Sequence, residues 1–186
     1  MTLETEKKAL LNRQEADFLL HHFTGGIASG VQTNYYFDSE DRSMDQRDIT
    51  CRIRMKGGKA SATMKIHHVG NGQSVEVPFP VTDGLNQNGF TDMGLRLCGF
   101  LTTCRTVLVR TDTFELVLDR NRYLGCEDYE LELEYSALGK ESAGLYWQYV
   151  LRLLQNHTAD RRPVQTDRVP GKSRRFFRRL SEYDRR

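Results

Sequence analysis

Charged and apolar residues alternate with a period of two through much of this chain, and this alternation limits the folds that the chain can adopt. In the segment 128–135, Glu130, Glu132 and Glu134 alternate with tyrosine and leucine. Successive side chains of a β-strand point to opposite faces, so such a segment forms a strand with one charged face and one apolar face. The pattern recurs with turn residues between the runs, which predicts a fold dominated by strands.

We predict eight strands, and two tight connections indicate that neighbouring strands are antiparallel. Gly57-Gly58 is typical of a two-residue hairpin turn because glycine accepts the positive φ angles of such turns. Thr111-Asp112 is a second, less specific connection. The predicted strands are 3–10, 31–39, 49–56, 59–67, 73–79, 104–110, 113–119 and 128–135.

Four helices are predicted between and after these strands. Asn12 followed by Glu15 resembles a capping box, and the first helix ends before Gly25-Gly26. A second helix spans 142–157, where leucine, valine and tyrosine form a broad apolar stripe. The glycine-interrupted segment 83–101 is predicted as the third helix and 173–186 as the fourth. A chain of 186 residues is then expected to be a single domain, 1–186, of the α+β class.

The charged strand faces admit two arrangements. In the first, the apolar faces meet in the core of a sandwich or barrel and the charged faces meet water. In the second, the apolar faces lie outside beneath the helices, and the charged faces line the interior of a wide barrel. Amphipathic helices need apolar surface to cover, and a barrel with an apolar interior would leave them mainly its ends. The helices therefore favour the second arrangement.

An interior lined by charges must hold water and an ionic ligand, because burying unpaired ions is costly. Arginine supplies forked donors and lysine a point charge, so cations here suit a polyanion with many phosphate oxygens. Carboxylates beside phosphate would repel it unless divalent cations lay between, and Mg²⁺ or Mn²⁺ prefer such hard oxygen ligands. The cations are Lys8, Arg52, Arg54, Lys65 and Arg105, and the carboxylates are Glu4, Glu6, Glu130 and Glu132.

Short motifs also follow one another in a distinctive order. The first is an E-x-E-x-K signature, Glu4-Thr5-Glu6-Lys7-Lys8. The others are Asn34-Tyr35-Tyr36-Phe37-Asp38, Arg52-Ile53-Arg54, Thr63-Met64-Lys65, Leu101-Thr102-Thr103-Cys104-Arg105, Leu118-Asp119, Tyr123-Leu124-Gly125, the acidic run 128–134 and Lys172-Ser173-Arg174-Arg175-Phe176. Glutamate and lysine are common, so the first motif alone is weak. The ordered set, over nearly the whole chain, resembles the CYTH-domain proteins of the triphosphate tunnel metalloenzyme superfamily, named for class IV adenylate cyclase and thiamine triphosphatase.

This resemblance implies an eight-stranded antiparallel β-barrel that forms a triphosphate tunnel, with amphipathic helices packed outside. It implies Mg²⁺ or Mn²⁺ as cofactor, bound by Glu4, Glu6, Glu130 and Glu132, with Glu134 as a further candidate. It implies triphosphate binding by Lys8, Arg52, Arg54, Lys65, Arg105 and Lys172, with help from Arg175. Asp119 matches an acidic position near the metal, so the implied catalytic set is Glu4, Glu6, Lys8 and Asp119.

The implied activity is metal-dependent hydrolysis of inorganic tripolyphosphate, thiamine triphosphate or a nucleoside triphosphate. Two alternatives stay open: a class IV-type adenylate cyclase, and a non-catalytic protein that binds polyphosphate or nucleotide. Several family members carry glutamate two residues after the strand-six arginine, where this chain has Val107, and this departure favours the binding protein. The glutamates at positions 4, 6, 130 and 132 argue against it, because a protein that only binds phosphate has little use for carboxylates beside an anion.

The formal net charge is only +2, but residues 161–186 contain ten Lys or Arg and three Asp or Glu. Such a basic segment attracts nucleic acid without sequence preference. A solvated helix that brings Lys172 to the tunnel mouth explains it better, so we expect a small-molecule triphosphate and no specific nucleic acid as partner. We expect no membrane span and a cytoplasmic location, because no long apolar run and no apolar leader stretch are found. The oligomeric state stays open, with a homodimer as one option.

Overall fold

The computed structural model describes residues 5–23, 27–67, 74–83, 85, 87–157, 164–166 and 169–185. Within these residues the strands are β1 (Thr5–Leu11), β2 (Ile27–Asp38), β3 (Ile49–Lys56), β4 (Lys59–Ile66), β5 (Val75–Phe79), β6 (Val81–Asp83), β7 (Gln87–Asn88), β8 (Arg96–Arg110), β9 (Phe114–Tyr123) and β10 (Cys126–Tyr135). The helices of the same residues are α1 (Arg13–His22), α2 (Ser43–Gln46), α3 (Gly89–Asp92), α4 (Lys140–His157) and α5 (Lys172–Tyr183). This composition confirms the α+β class.

Eight of these strands form one antiparallel sheet in the order β1-β10-β9-β8-β2-β3-β4-β5, while β6 and β7 form a separate hairpin. The eight-stranded antiparallel sheet was predicted, but the predicted closed barrel is wrong. Across the described residues, β1 and β5 are the two edges and do not pair with each other. Pro78 lies within β5 and has no N–H to donate to a neighbouring strand, which suits an edge position.

The open sheet is strongly curled. β10 and β3 are four strand spacings apart, which would separate them by about 19 Å in a flat sheet. Consecutive residues of α5 nevertheless contact both strands: Lys172 lies 2.7 Å from Glu132 of β10, and Ser173 lies 3.1 Å from Thr50 of β3. The two sides of the sheet therefore face each other across a trough, whose inner surface we call the concave face.

The convex face is apolar and lies beneath the helices, which confirms this part of the second arrangement, although the sheet does not close into the barrel that it included. α1 and α4 cover β1, β9 and β10 in a shared buried core. The β2–β4 region forms a second core with α2, α3 and the β6-β7 hairpin. Buried residues of the first core include Ala9, Leu19, Leu118, Leu131, Leu133, Trp147, Val150 and Leu154, and those of the second include Phe37, Ile53, Ala62 and Phe90. The charged strand faces are consequently turned toward the trough.

α5 closes one end of the concave face. Its Phe176 and Phe177 are buried against Tyr36 and Leu101. Leu101 shares its strand face with Arg105, because residues two and four apart in a strand point the same way. The approach is close at Gly99, where φ is 146° and a Cβ atom would come within 2.9 Å of the Phe176 ring. Glycine at this position thus allows α5 to pack across the sheet.

Most predicted elements are present, and the capping box of α1 is confirmed. The Asn12 side chain accepts from the Glu15 backbone N–H at 2.9 Å, and the Glu15 carboxylate accepts from the Asn12 N–H at 2.7 Å. Residues 3, 4, 24–26, 73 and 186, where several predicted elements begin or end, lie outside the described residues. None of the described helices is both long and apolar enough to cross a membrane.

The predicted helix over 83–101 is wrong. This stretch contains the end of β6, all of β7, the four-residue α3 and the beginning of β8. Asn88 caps α3 through two backbone N–H groups, and Gly94 follows it with a φ of 76°. The glycines that interrupted the helical pattern mark turns and a close contact, and β8 consequently begins eight residues before the predicted strand.

Candidate active site

The strand register brings charged residues into neighbouring rows on one side of the concave face. In one row Arg105 of β8 lies opposite Asp119 of β9, which lies opposite Glu130 of β10. In the next row Glu132 lies opposite Lys8 of β1. We call this region the acidic half. Its described carboxylates are Glu6, Asp119, Asp128, Glu130, Glu132 and Glu134, and its cations are Lys8, Arg105, Lys172 and Arg175.

Lys172, the first residue of α5, reaches into the centre of the acidic half. Its Nζ atom lies 2.7 Å from Glu132 Oε1, 3.0 Å from Asp119 Oδ2 and 3.2 Å from Glu130 Oε2. Burial alone would lower the pKa of Lys172, but the three carboxylates raise it well above its ordinary value. The side chain is therefore a charged ammonium on which carboxylates of β9 and β10 converge.

Arg105 holds the carboxylates of the same two strands from the β8 side. It forms a forked pair with Asp119, with Nε–Oδ1 and Nη2–Oδ2 distances of 2.8 and 2.7 Å. It also donates to Glu134 Oε1 at 3.0 Å and to Glu132. Burial opposes the guanidinium charge, but these hydrogen bonds and charges raise the pKa of Arg105. A predicted phosphate ligand is thus engaged with carboxylates here.

Arg175 forms the third cationic contact, one helical turn after Lys172. Its Nε donates to Asp128 Oδ2 at 2.9 Å, and its Nη2 donates to Glu130 Oε2 at 2.5 Å. Asp128 also accepts from the Tyr123 hydroxyl at 2.8 Å. The sequence analysis missed Asp128, although its position two residues before Glu130 placed it on the same strand face.

The edge strand β1 completes the acidic half. The Nζ atom of Lys8 lies 3.0 Å from Glu6 Oε1, 3.3 Å from Glu132 Oε1 and 3.6 Å from Glu130 Oε1. Burial alone would lower the pKa of Lys8, and these carboxylates raise it. Glu4, predicted as a metal ligand and catalytic residue, lies outside the described residues.

Glu130 and Glu132 each contact three cations but differ in hydrogen bonding. Burial alone would raise the pKa of Glu132, but Lys172, Lys8 and Arg105 lower it well below its ordinary value. Glu130 is fully buried, and its Oε1 atom accepts no hydrogen bond from any described residue. A buried carboxylate oxygen without a hydrogen-bond donor is costly and needs another positive partner.

The opposite side of the concave face, which we call the basic half, consists of Arg52, Arg54 and Lys65 with Glu76. Arg52 and Lys65 share the exposed Glu76 carboxylate of β5, at 3.2 and 3.5 Å. Arg54 donates from Nε to the neutral Asn34 side chain at 2.9 Å. Burial and the neighbouring Arg52 charge lower the pKa of Arg54. Cations therefore outnumber carboxylates here among the described residues. Asn34 and Glu76 were not predicted as site residues.

Val107 of β8 lies in the same row as Glu132 and Lys8 of the acidic half. It is buried opposite Val117 of β9, which in turn lies opposite Glu132. A glutamate at position 107 would extend the carboxylate cluster onto β8. With valine there, the described carboxylates of the acidic half are restricted to β1, β9 and β10, and a short apolar patch separates them from β2.

The chemistry of the acidic half fits a hard divalent cation. Six described carboxylates face four cations, which leaves a net negative charge, and one buried Glu130 oxygen has no hydrogen-bond donor. Oxygen ligands of this kind are those that Mg²⁺ and Mn²⁺ prefer. Among the described residues, no three His, Cys, Asp or Glu side chains are grouped as a ready metal site. The ammonium of Lys172 lies within 3.2 Å of the carboxylates of Asp119, Glu130 and Glu132.

The predicted site residues thus fall into two groups. Glu6, Lys8, Arg105, Asp119, Glu130, Glu132, Glu134, Lys172 and Arg175 meet in the acidic half, and Arg52, Arg54 and Lys65 meet in the basic half. Glu134 differs from the other glutamates of β10, because 46% of its side chain is exposed at the rim of the trough. The fold and the site together define a curled antiparallel sheet whose concave face is divided between carboxylates and cations.

Comparison with known proteins identifies the family. The CYTH domain family matches residues 2–138. A Bacillus subtilis protein named "Putative triphosphatase YjbK" is 30% identical to this chain over 155 residues, which cover 71% of this chain and 77% of that protein. This chain therefore belongs to the CYTH domain family. The matched residues end before α4, so Lys172 and Arg175 lie outside them.

Solved structures show the same fold. The crystal structure of a Bacillus halodurans protein named as a putative adenylate cyclase has a TM-score of 0.69 and 24% identity, and covers 94% of this chain and 97% of that one. The Hippeastrum protein HpAC1 has a TM-score of 0.66 and 16% identity, with coverages of 95% and 96%. That protein is named as a putative adenylyl cyclase with a dominant triphosphatase activity. At these identities the comparison concerns the fold alone.

Proposed function

We propose that this protein is a metal-dependent triphosphatase that hydrolyses a triphosphate on its concave face. The observation that carries the proposal is the division of that face into a carboxylate cluster and a cation cluster. Phosphoryl transfer asks a protein chiefly to align the reactants and to neutralise charge. A trough with both kinds of group meets these two needs. The name of the Bacillus subtilis relative supports the same activity.

In this proposal the basic half binds the phosphates. Arg52 and Arg54 offer forked N–H donors to nonbridging oxygens, and Lys65 offers a point charge beside them. Arg105 and Arg175 lie farther toward the carboxylates, where they hold the acidic side chains in place and can offset charge that develops on a leaving phosphate.

The acidic half holds the cofactor. Glu4, Glu6, Glu130 and Glu132 are the proposed ligands, with Asp119 beside them, and Glu134 could join them from the rim only after releasing Arg105. Bound there, Mg²⁺ or Mn²⁺ would neutralise phosphate charge and acidify the attacking water. Lys8 touches three of these carboxylates and is placed to orient them. No nucleophilic side chain is needed, because water is the attacking group.

Phosphate release tests the proposal and separates it from the two alternatives. Tripolyphosphate, thiamine triphosphate and ATP are incubated in parallel with Mg²⁺, with Mn²⁺ and with a chelator, and the ATP reactions are also assayed for cyclic AMP. We expect metal-dependent phosphate release from at least one substrate. Cyclic AMP formation would instead establish a cyclase. Absence of all products, with calorimetry still detecting triphosphate binding, would establish a binding protein and direct attention to Val107.

A further inference from the structure

Lys172 occupies the place where a divalent cation would be expected. Its ammonium lies within 3.2 Å of Asp119, Glu130 and Glu132 at once, and 14% of its side chain is exposed. The three carboxylates are therefore engaged by the first residue of α5. Each of these oxygens also contacts a second cation, from Lys8, Arg105 or Arg175. A metal ion bound to the same oxygens would lie within a few ångströms of the Lys172 ammonium, and the two positive charges would repel each other.

The Lys172 side chain can leave these carboxylates without moving α5. The helix is anchored one turn later by Phe176 and Phe177, both fully or almost fully buried. Lys172 is its first residue and follows Gly171. A Cβ atom added at Gly171 would have no other atom within 4 Å, so the start of α5 is not crowded. Lysine carries its charge on a flexible four-carbon stem. Rotation about side-chain bonds can therefore displace the ammonium while the packing of α5 persists.

The same lysine also borders the basic half. The hydroxyl of the next residue, Ser173, lies 3.1 Å from Thr50 Oγ1 on β3, and Thr50 is opposite Lys65 in the strand register. Phe176 of the same helix packs on Tyr36 with ring centroids 4.7 Å apart, and Tyr36 lies opposite Arg52 in the strand register. Lys172 therefore stands between the carboxylates and the proposed phosphate site.

We propose that Lys172 is an internal competitor of the metal ion, released toward the triphosphate when a divalent cation binds Asp119, Glu130 and Glu132. This inference rests on the proposed function and adds to it a coupling between the two ligands. Without metal, Lys172 compensates the buried carboxylates. With metal, the ammonium loses its partners and becomes available to phosphate oxygens. Metal binding thus supplies the phosphate site with one more cation, and the two ligands bind cooperatively.

Calorimetric titration with Mn²⁺ in the absence of any phosphate measures the competition. The full-length wild-type chain is compared with Lys172→Met, which keeps the apolar stem, and with Arg174→Ala. Arg174 lies on the same helix but points away, where it pairs with Asp48. We expect roughly tenfold tighter Mn²⁺ binding by Lys172→Met and no change in Arg174→Ala. Equal affinities of wild type and Lys172→Met would overturn the inference but not the proposed function, whereas absence of Mn²⁺ binding in every variant would overturn both.

The reactivity of the Lys172 amine tests displacement directly, and it uses the wild-type protein even if the variant fails to fold. The folded chain is pulsed with an acylating reagent, and labelling at Lys172 is quantified by mass spectrometry. We expect protection without metal, at least a severalfold increase with saturating Mn²⁺, and renewed protection when tripolyphosphate is added. Labelling that Mn²⁺ leaves unchanged would overturn the inference, because the metal would then bind without moving the lysine.

Discussion

The two halves of the concave face arise from the same strand pattern, yet they compensate their charges differently. In the acidic half every described cation touches at least two carboxylates, and Lys172 touches three. In the basic half Arg52 and Lys65 share one carboxylate, and Arg54 has a neutral amide as its hydrogen-bond acceptor. A cation held by several anions is a poor phosphate ligand, because phosphate must displace them. The comparison therefore supports the proposal that one half positions the carboxylates and the other binds substrate.

The largest expected effect comes from Glu130→Gln, which removes a fully buried carboxylate charge of the acidic half without changing the size of the side chain. Loss of a metal-binding carboxylate removes roughly 3–4 kcal/mol of transition-state stabilisation, or about 10²–10³ in turnover. Circular dichroism and urea unfolding verify that the variant is folded. Turnover within threefold of wild type would exclude Glu130 from the metal site.

The acidic half should also determine how the fold responds to acid. Although burial opposes it, the pKa of Glu132 is lowered by Lys172, Lys8 and Arg105, so the unfolded chain binds a proton at a higher pH than the folded chain. This contribution to stability is present above the ordinary glutamate pKa of 4.5 and is lost as the pH falls below it. We expect urea unfolding to show a steep loss between about pH 5 and pH 3, of the order of 2 kcal/mol from this group.

Glu132→Gln should reduce the loss of unfolding free energy at low pH, since glutamine does not titrate. Glu141→Gln, on the exposed side of α4, is the matched control and should leave that loss unchanged. The same pH dependence in wild type and Glu132→Gln would show that Glu132 is not the group whose protonation weakens the fold.

Arg52→Ala tests the basic half. We expect about tenfold weaker triphosphate binding, close to 1.4 kcal/mol, with an increase in KM and little change in kcat, because the arginine holds the phosphates before and during the reaction. Arg122→Ala is the control, because it also removes one arginine but at a site away from the basic half. Arg122 lies on β9 and pairs with Glu127 in an exposed contact. An Arg52→Ala protein with wild-type affinity would remove this residue from the substrate site.

The smallest effect is expected for Glu76→Gln, which removes the carboxylate that Arg52 and Lys65 share. Exposed ion pairs contribute about 0–1 kcal/mol, so release of these cations should strengthen triphosphate binding by roughly twofold to threefold. Isothermal titration with tripolyphosphate measures it. Weaker binding by Glu76→Gln would mean that Glu76 itself helps to hold the substrate or its metal.

The sequence predicted this fold well wherever alternation was regular. Glu130, Glu132 and Glu134 alternate with apolar residues that are now buried under α1 and α4, and the capping residues of α1 behave as predicted. The segment 83–101 failed because its apolar residues follow no single period, and its structure depends on the cap at Asn88 and on the contact between Gly99 and Phe176. Such a contact joins residues 77 positions apart, and local pattern cannot foresee it.

The sequence predicts which residues belong to the candidate site but not which of them contact one another. Strand parity placed Arg105, Asp119 and Glu130 on one face, but only the register of three strands brings them into one row. Closure of the barrel was also expected, and the edge strands do not pair among the described residues. The position of Lys172 depends on where the phenylalanines of α5 pack, which is a property of the third core and not of the helix sequence alone.

Crystals grown with Mn²⁺ and a non-hydrolysable triphosphate analogue would test the central claim, that the two halves of the concave face divide metal binding from phosphate binding. The anomalous signal of manganese locates the metal independently of the phosphates. We predict a manganese peak coordinated by Glu130 and Glu132, with the phosphate chain extending to Arg52 and Arg54. A metal bound elsewhere, or phosphates held by the acidic half without metal, would contradict the account.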